Sequence, residues 1–179
     1  MDTNEIKAKV IKCLELLEKN EKEIIQNDIN ERTIVHKLAE YLQKEFSELN
    51  VDVEYNRDRE EGKKKPKYAT LIKSSFKKAY EISITKKIKI DKFMDKVSTY
   101  PDIIVHKRMS NEENTLIIEV KKKNNRTDWE IDKYKLEALT RKRGDGGYGF
   151  LLGLHLIINC DQLHFDCEWY VNGNVEKNN

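Results

Sequence analysis

The sequence predicts a single α/β domain: a mixed β-sheet flanked by helices, with an extra helix at the N-terminus. Three observations predict it. Two stretches near the start repeat apolar residues at helical spacing. The middle and the end hold short apolar or alternating runs of strand length. Between two such runs a helical period returns, a mixture that indicates a sheet of mixed direction covered by helices. A chain of 179 residues fits one domain. Within 1–179, residues 1–27 read as a helical extension and 28–171 as the core, with a lysine-rich insertion at about 57–97.

Residues 4–25 repeat Ile6, Val10, Cys13, Leu14 and Leu17 at helical spacing without Gly or Pro, which predicts one charged helix. Asn30 is a suitable N-cap for a second helix at 31–48, whose stripe is Ile34, Val35, Leu38, Ala39, Leu42 and Phe46. Residues 51–56 alternate as a half-buried strand does. Residues 57–67 read as a polar loop, and 68–97 as a helix at 71–81 followed by a strand at 82–90. Residues 102–107 and 115–121 are apolar strands separated by a short polar turn, so they should form an antiparallel hairpin. A helix is expected from 128 to 141, with Ile131, Tyr134, Ala138 and Leu139 inward and GDGG at 144–147 ending it. A strand at 148–158 should carry Tyr148, Phe150, Leu152, Leu154, Leu156 and Ile158 on one face. A second alternates at 163–171, and Asn172-Gly173 turns the chain into a short last strand.

Net charge is +2, which by itself indicates no polyanionic partner. The distribution is more informative. Between Lys63 and Lys89 there are ten lysines and one acidic residue, Glu81, and a second basic cluster runs from Lys121 to Arg126. Segregated positive charge of this kind attracts phosphate by counterion release; the plainer alternative is a solvated loop. The three cysteines, Cys13, Cys160 and Cys167, have no metal-ligand spacing and are expected to be reduced in a cytoplasmic protein. No basic start followed by an apolar run marks a signal peptide, and no apolar stretch is long enough to span a bilayer. P-loop, GxGxxG, GxSxG, HExxH and EF-hand patterns are absent.

The chemistry concentrates on the hairpin. Asp102 follows Pro101 at the mouth of one strand, and Glu119 and Lys121, two residues apart on the next, project from one face. Their neighbours Ile117, Ile118 and Val120 are apolar, so a carboxylate and an ammonium there need compensation. A divalent cation bridging Asp102 and Glu119 would supply it, Mg²⁺ being held by a few hard oxygens plus water. Lys121 would then stand beside the metal-bound water. The competing reading is a strand-end salt bridge between Glu119 and Lys121. Glu31 lies in the apolar stripe of its helix and is expected to face the sheet; the alternative is a first-turn glutamate favoured by the helix dipole. Lys135 falls inside the inward face of the 128–141 helix, unless it snorkels to solvent. His36 lies off the stripe and reads as a surface residue.

Pro101-Asp102 followed by Glu119-Val120-Lys121 resembles the PD-(D/E)xK nuclease superfamily, the restriction-endonuclease-like proteins. The resemblance implies a core of helix, three-stranded antiparallel meander, helix and further strand, here spanning 31 to 158. It implies Asp102 and Glu119 as ligands of Mg²⁺ or Mn²⁺, with the Val120 carbonyl as a third. It implies Lys121 as the residue assisting the water, Glu31 as an acid joining the site, and Lys135 or Tyr134 as the contact to the scissile phosphate. Glu5–Lys7 and Glu61–Lys63 also fit ExK, but neither follows a Pro-Asp strand. The expected function is a metal-dependent nuclease, acting on DNA in preference to RNA, with bacterial defence or repair as its setting by analogy. The alternative is a non-catalytic module of the same fold that binds nucleic acid or protein. A third reading makes residues 1–25 a helix for homodimerisation or for docking a partner protein.

Overall fold

The computed structural model describes residues 1–27, 30–55, 58–60, 63–65, 68–70, 90–91, 96–98, 100–110, 112–125 and 129–176. The helix expected at 71–81 and nearly all of the strand expected at 82–90 lie outside these residues.

The N-terminal helical run is two helices, not one. Helix α1 spans Thr3–Asn20, capped by the Asp2 carboxylate on the Glu5 N–H, and α2 spans Lys22–Gln26. The break at Glu21 lets Ile25 turn into the core, where it is fully buried. Helix α3 spans Glu31–Glu45, with the Asn30 side chain accepting from the Arg32 N–H as a cap should. Strand β1 is Asn50–Val53. Within 57–67, which reads as a loop in sequence, β2 (Asp58–Glu60) pairs antiparallel with β3 (Lys63–Lys65), Glu60 opposite Lys63. Strands β4 (Tyr68–Thr70), β5 (Ile90–Asp91) and β6 (Lys96–Ser98) form a separate small sheet.

Strands β7 (Ile103–His106) and β8 (Asn114–Lys122) form the predicted antiparallel hairpin, with Ile103 opposite Ile118. Helix α4 (Trp129–Thr140) then crosses over to β9 (Leu152–Asn159), parallel to β8; β10 (His164–Val171) and β11 (Asn174–Val175) return antiparallel. The result is an α/β fold around a six-stranded mixed sheet of order β1-β7-β8-β9-β10-β11. Asn172 and Gly173 take φ of 51° and 79°, the left-handed pair that an Asn-Gly hairpin turn requires. The strand expected from 148 begins only at Leu152, because the left-handed Gly149 (φ 68°) breaks extension there.

The two faces of the sheet have different covers. Ile103, Val105, Leu116, Ile118, Val120, Leu152, Leu154, Leu156 and Ile158 pack against α1, α2 and α3 in the larger core. The stripe of α1 is therefore buried within its own chain: Ile6, Val10, Cys13 and Leu17 are fully enclosed against α3. The apolar face that a dimerising helix would offer is thus already covered. On the opposite face Ile104, Ile117, Phe150 and Tyr170 meet Leu136 and Leu139 of α4 in a smaller core. Gly153 sits under α4, where a Cβ would come within 2.9 Å of the Thr140 methyl and 3.1 Å of Tyr170 Cβ. A glycine here lets the helix lie close on the sheet. Because side chains alternate along strands, the α4 face is the one to which Asp102, Glu119 and Lys121 belong. No helix among the described residues is long and apolar enough to cross a membrane.

Candidate active site

The small apolar core under α4 covers only the C-terminal part of that helix. Toward its N-terminal end the sheet carries polar groups instead. Asp102, one residue before β7, is two residues from Ile104 and shares its face. Glu119 on β8 is the register partner of His155 on β9, and His155 is the partner of Glu168 on β10. Asp102, Glu119, His155 and Glu168 thus form a transverse row across four neighbouring strands.

Each member is held differently. The Asp102 Oδ2 accepts the Val120 N–H at 2.7 Å, tying the mouth of β7 to β8. Burial pushes the Asp102 carboxyl up to about 6, against the pull of that backbone bond and of Lys121. Glu119 is 1% exposed. Burial drives its carboxyl well above the ordinary range; Lys135 opposes the shift, while Asp132 and Asp102 add to it. Asp102 precedes Ile103, the register partner of Ile118, so it falls opposite Glu119 on the same sheet face. His155 is wholly buried, and burial lowers its basicity; its ring meets Trp129 edge-on with centroids 5.8 Å apart. Its Nδ1 is 3.8 Å from Glu168 Oε2. Glu168 is itself engaged, accepting from the Tyr170 hydroxyl at 2.8 Å and pairing with Lys133 Nζ at 2.9 Å.

Two lysines and a further acid from α4 complete the cluster. Lys121 Nζ lies 3.4 Å from Asp132 Oδ2 and 3.7 Å from Glu31 Oε1. Lys135 Nζ lies 2.9 Å from Asp132 Oδ1 and 3.6 Å from Glu119 Oε1. Burial disfavours both ammonium groups, yet the surrounding acids outweigh it and hold both above ordinary lysine. Neither is the simple strand-end pair of Glu119 with Lys121: the partners are exchanged through α4. Glu31 reaches the end of the sheet from the other side, its Oε2 accepting the Lys122 N–H at 3.1 Å.

All five side chains expected in the site therefore gather there: Asp102, Glu119, Lys121, Glu31 and Lys135. Lys135 turns inward and does not snorkel; its side chain is 15% exposed. Tyr134 does not join them. It stands half-buried on α4 with its hydroxyl toward Glu130. His36 is on the surface, as expected.

Asp132 and His155 are additions that the sequence reading does not include. A signal for Asp132 exists, since it precedes Leu136 and Leu139 at i+4 and i+7 and so lies on the inward stripe. His155 alternates with Leu154 and Leu156, which puts it on the α4 face, but only the β8–β9 register sets it beside Glu119.

The charge balance bears on a cation. Asp102, Glu119, Asp132 and Glu31 face two ammonium groups, which leaves an excess of two negative charges when all are ionised. Glu119 Oε1 and Asp132 Oδ2 are buried without a hydrogen-bond partner. A buried carboxylate oxygen left this way is costly, and a hard divalent cation matches both its charge and its donor type. Among the described residues no group of three His, Cys, Asp or Glu side chains is placed to hold a metal ion. A cation here would have at most the two carboxylates Asp102 and Glu119 as side-chain ligands, and water or phosphate would have to complete its shell.

Beyond Lys121, at the carboxyl ends of the parallel strands β8 and β9, a cleft of about 330 Å³ is lined by Lys123, Asn124, Ile158, Asn159, Cys160, Asp161 and Gln162. It does not include the carboxylates, but it borders their end of the sheet. Compared with protein-family models, curated proteins and solved structures, the chain matches none of them.

Proposed function

We propose that this protein is a metal-dependent nuclease of the PD-(D/E)xK type, hydrolysing phosphodiester bonds with Mg²⁺ or Mn²⁺. The observation that carries the reading is the paired set of buried carboxylates, Asp102 and Glu119, with two lysines beside them and an oxygen of Glu119 that accepts no hydrogen bond. The order α3, β1, β7, β8, α4, β9 agrees with the restriction-endonuclease-like core that the motif implies.

In this reading Asp102, Glu119 and the Val120 carbonyl hold the cation. When bound, it supplies charge to the phosphoryl oxygens and lowers the pKa of water. Lys121 orients the attacking water and offers a positive charge to the developing phosphorane. Glu31 steadies Lys121 and fixes the main chain at Lys122. Lys135 contacts the scissile phosphate from α4. The lysines of 63–89, with Lys123, provide a sequence-independent hold on the phosphate backbone. DNA is favoured over RNA, and a role in bacterial defence or repair follows by analogy alone.

A second reading, a non-catalytic binding module, draws on the distance of 3.6 Å between Lys135 and Glu119, which lets an ammonium serve as permanent counterion in place of a metal. One experiment separates them. The protein is incubated with supercoiled plasmid, single-stranded DNA and RNA in Mg²⁺, Mn²⁺ or EDTA, beside Asp102→Asn. Cleavage that requires metal and Asp102 supports the nuclease; retention of nucleic acid without cleavage under every condition supports the module.

A further inference from the structure

Asp132 is the one member of the cluster that touches both lysines. It is 2% exposed, and each of its oxygens faces a different ammonium: Oδ1 lies 2.9 Å from Lys135 and Oδ2 lies 3.4 Å from Lys121. It comes from the inner stripe of α4, which Leu136 and Leu139 anchor on Ile104 and Ile117. Its place is therefore set by apolar packing and not by the charges it meets. The lysines are different. Each has a long, flexible stem, and each has a second acid available: Glu31 at 3.7 Å for Lys121, and Glu119 at 3.6 Å for Lys135.

We infer that Asp132 is a positioning residue, which fixes Lys121 and Lys135 in place and holds Lys135 off the metal-binding carboxylate Glu119. The inference rests on the nuclease reading for its consequence but not for its geometry. Without Asp132, the nearest remaining acid for Lys135 is Glu119. An ammonium settled on Glu119 competes with a cation for the same oxygens. Lys121, which keeps Glu31 at 3.7 Å and the pull of Asp102 and Glu119, loses the acid that holds it against α4 and is no longer confined to one position. Asp132 thus partitions the positive charge so that Glu119 stays open to metal while both lysines stay ordered.

The test has two parts. The first needs neither metal nor nucleic acid: proton–nitrogen spectra of the lysine ammonium groups in EDTA, where only immobilised, shielded ammonium groups give sharp resonances. Wild type should show two such resonances, each lost in Lys121→Met or Lys135→Met. Asp132→Asn, with a native backbone spectrum, should lose or broaden both. Two sharp, unshifted resonances in Asp132→Asn would overturn the inference.

The second part is Mn²⁺ titration by calorimetry. Asp132→Asn should bind Mn²⁺ about 10–100-fold more weakly, the cost typical of removing a group that orients a metal's ligands. Adding Lys135→Met to Asp132→Asn should restore binding to near the wild-type level, because the competing ammonium is gone. A purely structural role predicts instead that the double variant binds no better than the single one. If Asp132→Asn does not fold, Asp132→Glu keeps the charge and moves it by one methylene. It should lower kcat at unchanged KM, and a wild-type kcat would refute the positioning role. Wild type that neither binds Mn²⁺ nor cuts would end the nuclease reading, while the ammonium spectra would still decide whether Asp132 orders the lysines.

Discussion

Replacing Asp102 by asparagine should make the protein more stable and inactive at once. The Asp102 carboxyl is held up at about 6 from its ordinary 3.8, with burial as the main cause. The sign follows from proton linkage. A folded-state pKa above the unfolded one means that the folded protein binds the proton more tightly, so stability declines as pH rises from about 4 to about 6 and stays low above. At 1.36 kcal/mol per unit, the ionised carboxylate costs the fold about 3 kcal/mol at pH 8. Asparagine carries no charge, and its oxygen can still accept the Val120 N–H that Asp102 accepts at 2.7 Å. Its amide nitrogen, lacking a sure partner, returns about 1 kcal/mol of that gain. The net expectation in EDTA at pH 8 is a variant about 2 kcal/mol more stable, or roughly 4–8 °C in Tm for a domain of this size. The advantage should vanish toward pH 4, where the wild-type carboxyl is protonated. Urea denaturation of both proteins across pH 4.5–8 measures it. Mg²⁺ should then raise the Tm of wild type and leave the variant unmoved, since only a folded state that binds the ion gains by mass action. A variant less stable at pH 8, or a difference independent of pH, would refute the reasoning.

The other predictions concern separate parts of the molecule. Lys121→Met should abolish or severely reduce cleavage yet keep Mn²⁺ binding, since an ammonium cannot ligate a cation; full cleavage would mean the wrong lysine has been assigned. Lys135→Met should cost about 3–5 kcal/mol in EDTA by stranding Asp132 and Glu119 without their nearest cation, and Mn²⁺ should recover part of it; a loss below about 1 kcal/mol in thermal melts would count against the buried pair. Asp52→Asn should behave oppositely to Asp102→Asn. Burial works against the Asp52 carboxylate, but Arg108 and His106 outweigh it and hold its pKa below the ordinary value. The variant should therefore be less stable at neutral pH, with the deficit shrinking on acidification, as urea denaturation over the same pH range will measure. Charge reversal at several lysines in 63–89 should weaken nucleic-acid binding and reduce its salt dependence by about one slope unit for each phosphate no longer neutralised; an unchanged slope would make that segment a solvated loop.

The parts of this fold that local pattern governs are legible in the sequence. The stripes of α1 and α3, the β7–β8 hairpin, the Asn172-Gly173 turn and the helix before β9 each follow from a period or a turn residue within a few positions. What stays hidden depends on distant pairing. His155 sits beside Glu119 only because β9 runs parallel to β8 in one register, and no local pattern states a register. The break at Glu21 has no Gly or Pro to announce it; tertiary packing of Ile25 decides it. Asp132 is legible in principle, but placing Tyr134 on the inner stripe rotates the helix by part of a turn and turns Asp132 outward. Lys135 is placed correctly because it lies between the two stripes and faces inward on either.

The long excursion between β1 and β7 has a consequence for how the site assembles. The Glu54 N–H donates to the Asp102 carbonyl at 3.2 Å, and Val53 pairs with Ile103, so the departing and returning chain are clasped together at Asp102. Closing this loop of roughly fifty residues carries an entropic cost that grows only logarithmically with length. Lengthening or shortening the excursion by several residues should then alter stability by less than about 1 kcal/mol while leaving Asp102 where it is. Such changes leave the β1–β7 clasp intact, but β4 within the excursion touches α4, the helix that carries Asp132 and Lys135. In the proposed nuclease, any group on that excursion would be tethered at both ends beside the Asp102 carboxylate, so a phosphate it held would be kept at high local concentration there.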